Sequence, residues 1–189
     1  MIVMRKNFGA RPYTYPQPVF ILAAYGEDGT PNAMNAAWGG ISNGNEISMC
    51  ISAGHKTTKD ILKRNAFTVS MADVKHVKEC DYVGIVSGNS VSDKLKKAGF
   101  TVQKSQFVDA PVINELPIAV ECKLTSYDPA TCRMVGEIVN VSVDENVLDK
   151  NGNVDVSKVQ PITFDPFNNK YVALGETVGT AFADGNAVK

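Results

Sequence analysis

Nothing in the chain approaches the run of ~20 apolar residues that a membrane-crossing helix needs; its longest apolar stretches, such as 19–24, are far shorter. The first residues, Met1-Ile2-Val3-Met4-Arg5-Lys6, have neither the extended apolar stretch nor the small-residue cleavage site of a secretory signal. Both absences lead us to expect a cytoplasmic protein with no membrane partner. Excess charge is missing too: the formal net charge is −1, so there is no basic surplus to hold a nucleic acid. Histidine is scarce, with only His55 and His76, which excludes a histidine-rich metal site by supply. The four cysteines, Cys50, Cys80, Cys122 and Cys132, form no C-x-x-C pair, which speaks against a zinc centre or a dithiol redox motif. Cys50, Cys122 and Cys132 stand among apolar neighbours and read as buried, inert thiols. G-x-G-x-x-G after a strand and G-x-x-x-x-G-K-[ST] are both absent, which disfavours a dinucleotide fold and a P-loop enzyme.

What is present is an ordinary globular composition. With 44% hydrophobic and 21% charged residues, the 189 positions suffice for a real core in one domain, taken as 1–189. The segment 17–25 reads as a buried strand, Gly26-Glu27-Asp28-Gly29 as a turn, and 31–38 as a returning strand. Gly39-Gly40 and Asn43-Gly44-Asn45 punctuate the next connection, and 46–52 makes a third strand, so an antiparallel meander is expected. A helix follows, with Thr57 as N-cap, Asp60 three residues on, and Ile61-Leu62 opening the apolar face. Asn65 ends it, and 66–71 alternates like a half-buried strand. Helical patterns recur at 74–85 and 92–99, the second stopped by Gly99. A long hairpin spans 118–127 and 132–143, and short strands follow at 161–164 and 170–174. Antiparallel strands without a βαβα alternation predict a mostly β fold with a few helices, closed as a barrel rather than doubly wound.

Three segments carry chemistry. Ser52-Ala53-Gly54-His55-Lys56-Thr57-Thr58-Lys59-Asp60 joins a strand end to a helix start. Free N–H groups and the helix dipole favour an anion there, and hydroxyl and basic side chains suit a phosphate. The same residues also fit a well-capped surface helix with solvated lysines. Asn32-Ala33-Met34-Asn35-Ala36-Ala37-Trp38-Gly39-Gly40 sets the only tryptophan among small residues, which lets backbone approach a flat ligand. Taken by itself, the segment reads better as a tapering barrel strand with Trp38 in the core. The third, 80–94, is a glycine- and serine-rich turn opening a basic helix, with Ser87, Ser92 and Lys94 as anion contacts or Ser92 as a simple cap.

In this order and spacing the segments resemble the flavin reductase-like family with an FMN-binding split barrel, flavoredoxins being the nearest relatives within it. The likeness runs through Pro18-Val19, Asn32-x-Met34-Asn35-Ala36-Ala37-Trp38-Gly39-Gly40 and Ser52 with His55-Lys56-Thr57-Thr58. It continues through Phe67-Thr68-Val69-Ser70, Gly84-x-x-Ser87-Gly88, Asp93-Lys94, Asp109-Ala110-Pro111, Glu121-Cys122, Val135-Gly136-Glu137-Ile138, Tyr171 and Leu174-Gly175. It departs at Asn35, where relatives often carry Thr.

The resemblance implies a homodimer with FMN near the subunit interface. It implies that Met34, Asn35, Ala36, Ala37 and Trp38 line the isoalloxazine ring, and that Ser52, His55, Lys56, Thr57 and Thr58 hold the phosphate and ribityl chain. Ser87 and Lys94 complete or support the phosphate site. Cys80 matches a cysteine frequent in relatives and is given no role. The expected function is an FMN-dependent oxidoreductase that takes electrons from NAD(P)H or a redox protein and passes them to a small acceptor or a flavin. No side-chain acid, base, nucleophile or metal is expected to be catalytic, since the flavin carries the redox chemistry. The alternatives are a protein-to-protein electron carrier with little NAD(P)H activity, and a non-redox dimer that binds a flavin or another phosphorylated ring.

Overall fold

The computed structural model describes residues 3–188. After a short strand β1 (Gln17–Pro18), the apolar run becomes β2 (Phe20–Tyr25). Ile21 and Ala23 on one face of β2 enter one core cluster, while Leu22 and Ala24 on the other enter a second. Burial on both faces explains why this strand is apolar throughout rather than alternating. A turn closed by Gly26 N donating to Thr30 O at 2.8 Å leads to β3 (Pro31–Ala36), which pairs antiparallel with β2.

The chain continues through β4 (Gly39–Asn43), β5 (Glu46–Cys50), α1 (Lys56–Arg64), β6 (Ala66–Met71), α2 (Val77–Ile85) and α3 (Lys94–Ala98). Then come β7 (Val102–Lys104), β8 (Pro111–Ile113), β9 (Ile118–Asp128), β10 (Arg133–Val143), α4 (Val156–Val159), β11 (Ile162–Asp165) and β12 (Lys170–Ala173). The main sheet has seven strands in the order β3-β2-β6-β9-β10-β5-β4. A second sheet orders β1-β11-β12, and β7 pairs with β8.

The expected meander is therefore corrected. β3 and β4 follow one another in sequence but form opposite edges of the seven-stranded sheet. Only Ala37 and Trp38 separate them, and three extended residue steps span at most ~11 Å. The two edges must therefore curl round to face each other, which makes the sheet an antiparallel split barrel. The β4–β5 ladder is extended by one rung towards the seam by Cys50 N donating to Trp38 O at 2.8 Å. Leu22, Ile47, Met49, Phe67, Val69, Cys122 and Met134 fill the interior. Gly136 is required there, because a Cβ would run into the Phe67 ring. On the outer face of β2, Val83 of α2, Leu95 of α3, Phe100 and Ile113 complete the other cluster.

Three further expectations change. The N-cap of α1 is His55, two residues before the expected Thr57, and it makes no side-chain capping bond. Helix α2 begins at Val77 rather than 74, because Asp73 accepts the His76 N–H at 2.7 Å and holds 73–76 in a turn. Cys122 is buried as expected, but Cys50 is exposed and Cys132 half-buried. Cys50 ends a strand whose inward positions are Ile47 and Met49, and Cys132 sits in the left-handed region at φ 59 at the base of the β9–β10 hairpin. Among the described residues no helix is long and apolar enough to cross a membrane.

Candidate functional site

Two adjoining clefts open at the barrel seam, where the end of β3, the end of β5, the start of α1 and the C-terminal half of α2 converge. The larger, of about 350 Å³, is lined by Met34, Asn35, Ala36, Ala37 and Trp38 on one side and by Ser52 and His55 on another. The smaller, of about 200 Å³, is lined by His55, Lys56, Thr57, Ser87, Gly88 and Lys94. They share Met34, His55, Gly84 and Ile85 and thus form one bent depression. Of the residues that the resemblance assigns to the cofactor, Thr58 alone lies outside both, and Ser92, the further anion contact singled out in the sequence, lines neither. Thr58 is fully buried, and its hydroxyl donates to Ser52 O at 2.8 Å, closing the loop that leads into α1.

Local geometry explains the convergence. Helix α2 lies directly on β3 because position 84 is glycine: a Cβ there would come within 2.8 Å of the Asn35 Cβ. Trp38 is 42% exposed and is therefore a wall of the larger cleft rather than a core residue. The turn 87–90 is tied to the α1 entry by Asn89 Nδ2 donating to Gly54 O at 3.2 Å.

The two ends of the depression differ in charge. At the α1 end the N-cap offers no side-chain acceptor, so the first-turn N–H groups of Lys56, Thr57 and Thr58 face outward with the positive end of the helix dipole. Thr57 Oγ1 accepts from Asn32 Nδ2 at 2.8 Å, which leaves the Thr57 hydroxyl proton available. The two lysines are more committed than their sequence suggests. Lys56 is ion-paired with the buried Asp60, four residues on. Lys94 is buried and donates to Val83 O at 3.1 Å and Val86 O at 3.0 Å, tying down the end of α2. Burial pulls the Lys94 ammonium down to about 8, and the Asp60 carboxylate opposes that shift. Asn32 is also buried, and its Oδ1 has no partner among the described residues.

The opposite end is acidic and aromatic, and it was not read from the sequence. Asp81, Phe164 and Tyr171 line the larger cleft. Tyr171 Oη donates to Asp81 Oδ1 at 2.8 Å and accepts from Asn35 Nδ2 at 3.3 Å. Burial, reinforced by the hydrogen bond to Asp81, raises the Tyr171 phenol to about 12, so it stays neutral throughout the physiological range. Cys80, one residue before Asp81, is buried at 1% exposure; desolvation lifts its thiol to about 12, so it is neither thiolate nor cleft wall. The one available signal for this end was Gly84, a glycine inside a helical pattern, which marks a close approach. Among the described residues no group of three or more His, Cys, Asp and Glu side chains is placed to hold a metal.

Comparison with known proteins gives a consistent picture. The family described as flavin reductase like domain matches residues 12–165. The structure of flavoredoxin from Desulfovibrio vulgaris (Miyazaki F) superposes with a TM-score of 0.91 at 38% identity, covering 96% of this chain and 100% of that one. A flavoredoxin from Methanosarcina acetivorans superposes with a TM-score of 0.86 at 26% identity, over 100% of both chains. An uncharacterized protein of Aquifex aeolicus is 29% identical over 78% of this chain and 79% of its own length.

Proposed function

Because the chain belongs to the flavin reductase like domain family, we propose that the bent depression binds FMN and that the protein is an FMN-dependent oxidoreductase. One observation carries this reading: a cleft at an uncapped helix start opens directly into a cleft walled by Met34–Trp38 backbone and the Trp38 ring. That is the outline of an anionic tail joined to a flat head. The larger cleft, at about 350 Å³, falls within the ~300–1,000 Å³ usual for small-molecule sites.

In this reading the N–H groups of Lys56, Thr57 and Thr58 and the hydroxyls of Thr57 and Ser87 bind the phosphate. His55 and Ser52 follow the ribityl chain, and the small residues Ala36 and Ala37 bring backbone N–H and C=O groups to the ring edge. Lys56 and Lys94 act mainly through long-range charge, since both ammonium groups already have protein partners. Bound there, the flavin would supply the one- and two-electron chemistry that protein side chains lack. The chain's own part is to position it, neutralise its phosphate and shield one side of the ring with Trp38. The electron donor is proposed to be NAD(P)H or a redox protein, and the acceptor a small molecule or a flavin. The working form is proposed to be a homodimer, in which a second copy covers the exposed arms 3–16 and 172–188 with their exposed Met4, Phe8, Val178 and Phe182.

The decisive experiment is titration of the purified protein with FMN and with riboflavin, followed by visible absorbance. FMN should bind far more tightly than riboflavin, which has no phosphate; a protein that binds neither refutes the reading. A second reading, a protein-to-protein electron carrier, is favoured by the 38% identity to a flavoredoxin over nearly the whole chain. Anaerobic addition of NADH or NADPH separates the two. Rapid bleaching of the yellow colour supports the reductase, and bleaching only by a reduced redox protein supports the carrier.

A further inference from the structure

The larger cleft has a wall whose chemistry is the reverse of the helix-start end. Asp81 of α2, Tyr171 of β12 and Asn35 of β3 form one hydrogen-bonded chain across three elements, with Asn35 Nδ2 also donating to Cys80 O at 3.3 Å. Tyr171 has a single O–H, and it goes to Asp81 Oδ1. Asp81 Oδ2 has no donor among the described residues, and no Lys, Arg or His nitrogen of those residues forms an ion pair with this carboxylate. Asp81 is only partly exposed, and carboxylates taken out of water ordinarily have a cationic partner.

Aromatic rings stand beside it. Phe164 and Tyr171 have centroids 6.3 Å apart at 58°, and Trp38 meets Phe164 edge-on at 6.3 Å and 89°. A ring face offers negative potential to a cation, and a flat apolar body packs well against such a wall. The wall is fixed rather than adaptable, because Asn35 and Asp81 hold the Tyr171 hydroxyl from two sides and Gly84 seats α2 against Asn35.

We propose that Asp81, Tyr171, Phe164 and Trp38 form a second subsite, which takes a flat aromatic group bearing a positive charge or a cluster of N–H donors, of the amidinium or aminoaromatic class. Anionic aromatics are disfavoured there, because an unpaired carboxylate repels them. The second reactant of the proposed oxidoreductase therefore presents such a group at this wall. Only the placement beside the flavin rests on the FMN reading; the charge preference belongs to these four side chains themselves.

The test uses three probes of nearly one shape: benzamidine (cationic at neutral pH), benzamide (neutral) and benzoate (anionic). Each is titrated into the protein saturated with FMN, and affinity is followed by ligand-observed NMR. Benzamidine should bind roughly tenfold or more tightly than benzoate, with benzamide between them. Asp81→Asn keeps an acceptor for Tyr171 but loses the charge, and should bring the three affinities within about twofold of one another in protein saturated with FMN. Equal binding of the three probes by the wild-type protein overturns the proposal without recourse to any variant. So does a benzamidine preference that survives in Asp81→Asn, and so does displacement of FMN by benzamidine. If instead the protein takes up no FMN, the same titration in its absence still reads the charge preference, and only the FMN reading fails.

Discussion

Thr57 accepts a hydrogen bond from Asn32 at 2.8 Å, so its own proton remains for a ligand even though the side chain is 1% exposed. Thr57→Val should weaken FMN binding by about 1.5 kcal/mol, the worth of a hydrogen bond to a charged group, while riboflavin binding is unchanged. Flavin fluorescence titration checks both; an equal loss for riboflavin would mean that Thr57 supports the fold rather than the phosphate. Lys94 makes a different kind of prediction. Burial lowers its pKa from 10.5 to about 8 in the folded protein. Across that interval the unfolded chain binds more protons than the folded one, so the stability contributed by Lys94 grows as pH rises from about 8 to 10.5. The neutral amine retains two N–H donors, matching its two bonds to Val83 O and Val86 O. The stability difference between wild type and Lys94→Met, from denaturant melts, should therefore shift in favour of the wild type between about pH 8 and pH 10.

At the scale of the element, α1 begins without a side-chain cap, a position where Asp, Asn, Ser or Thr is preferred. His55→Asp should stabilise the helix by about 1 kcal/mol, because the new carboxylate accepts first-turn N–H groups and complements the dipole. It should also weaken FMN binding more than tenfold, since the same N–H groups would be occupied and the new charge repels a phosphate. A higher melting temperature with undiminished FMN affinity would exclude this helix start as the anion site. The elements themselves were legible in proportion to their local pattern. β2, β6, β9 and β10 were readable from apolar alternation and length, and α1 from its amphipathic turn. β4 was not: an edge strand with three exposed residues needs no apolar face, and its Gly39-Gly40 and Asn43 read as punctuation. The helix-start and β3 portions of the site were legible because each is a continuous segment. Asp81, Phe164 and Tyr171 were not, because they meet only through the packing of α2 on β3 and of β12 on β11. Tyr171 and Asp81 are 90 positions apart, and no local signal marks either as a partner of the other.

At the scale of the molecule, the two large core clusters share one strand, for the alternate residues of β2 belong to alternate cores. Barrel and helical layer therefore cannot lose their packing independently, since removing β2 from either strips the other. Thermal unfolding should show one transition, with the same midpoint from far-ultraviolet circular dichroism and from the fluorescence of Trp38 in protein freed of flavin. A cofactor docked at the seam contacts β3, the β5 exit, α1 and the turn after α2, and so stabilises every part of that cooperative unit at once. FMN at a hundredfold excess over its Kd should add about 2.7 kcal/mol by mass action. For a chain of this size that corresponds to a rise of about 5–10 °C in Tm. Riboflavin at the same concentration should raise Tm by much less, because it cannot engage the N–H groups at the start of α1. Two separated transitions, of which FMN shifts only one, would mean that the clefts lie on a unit that folds apart from the remainder of the chain.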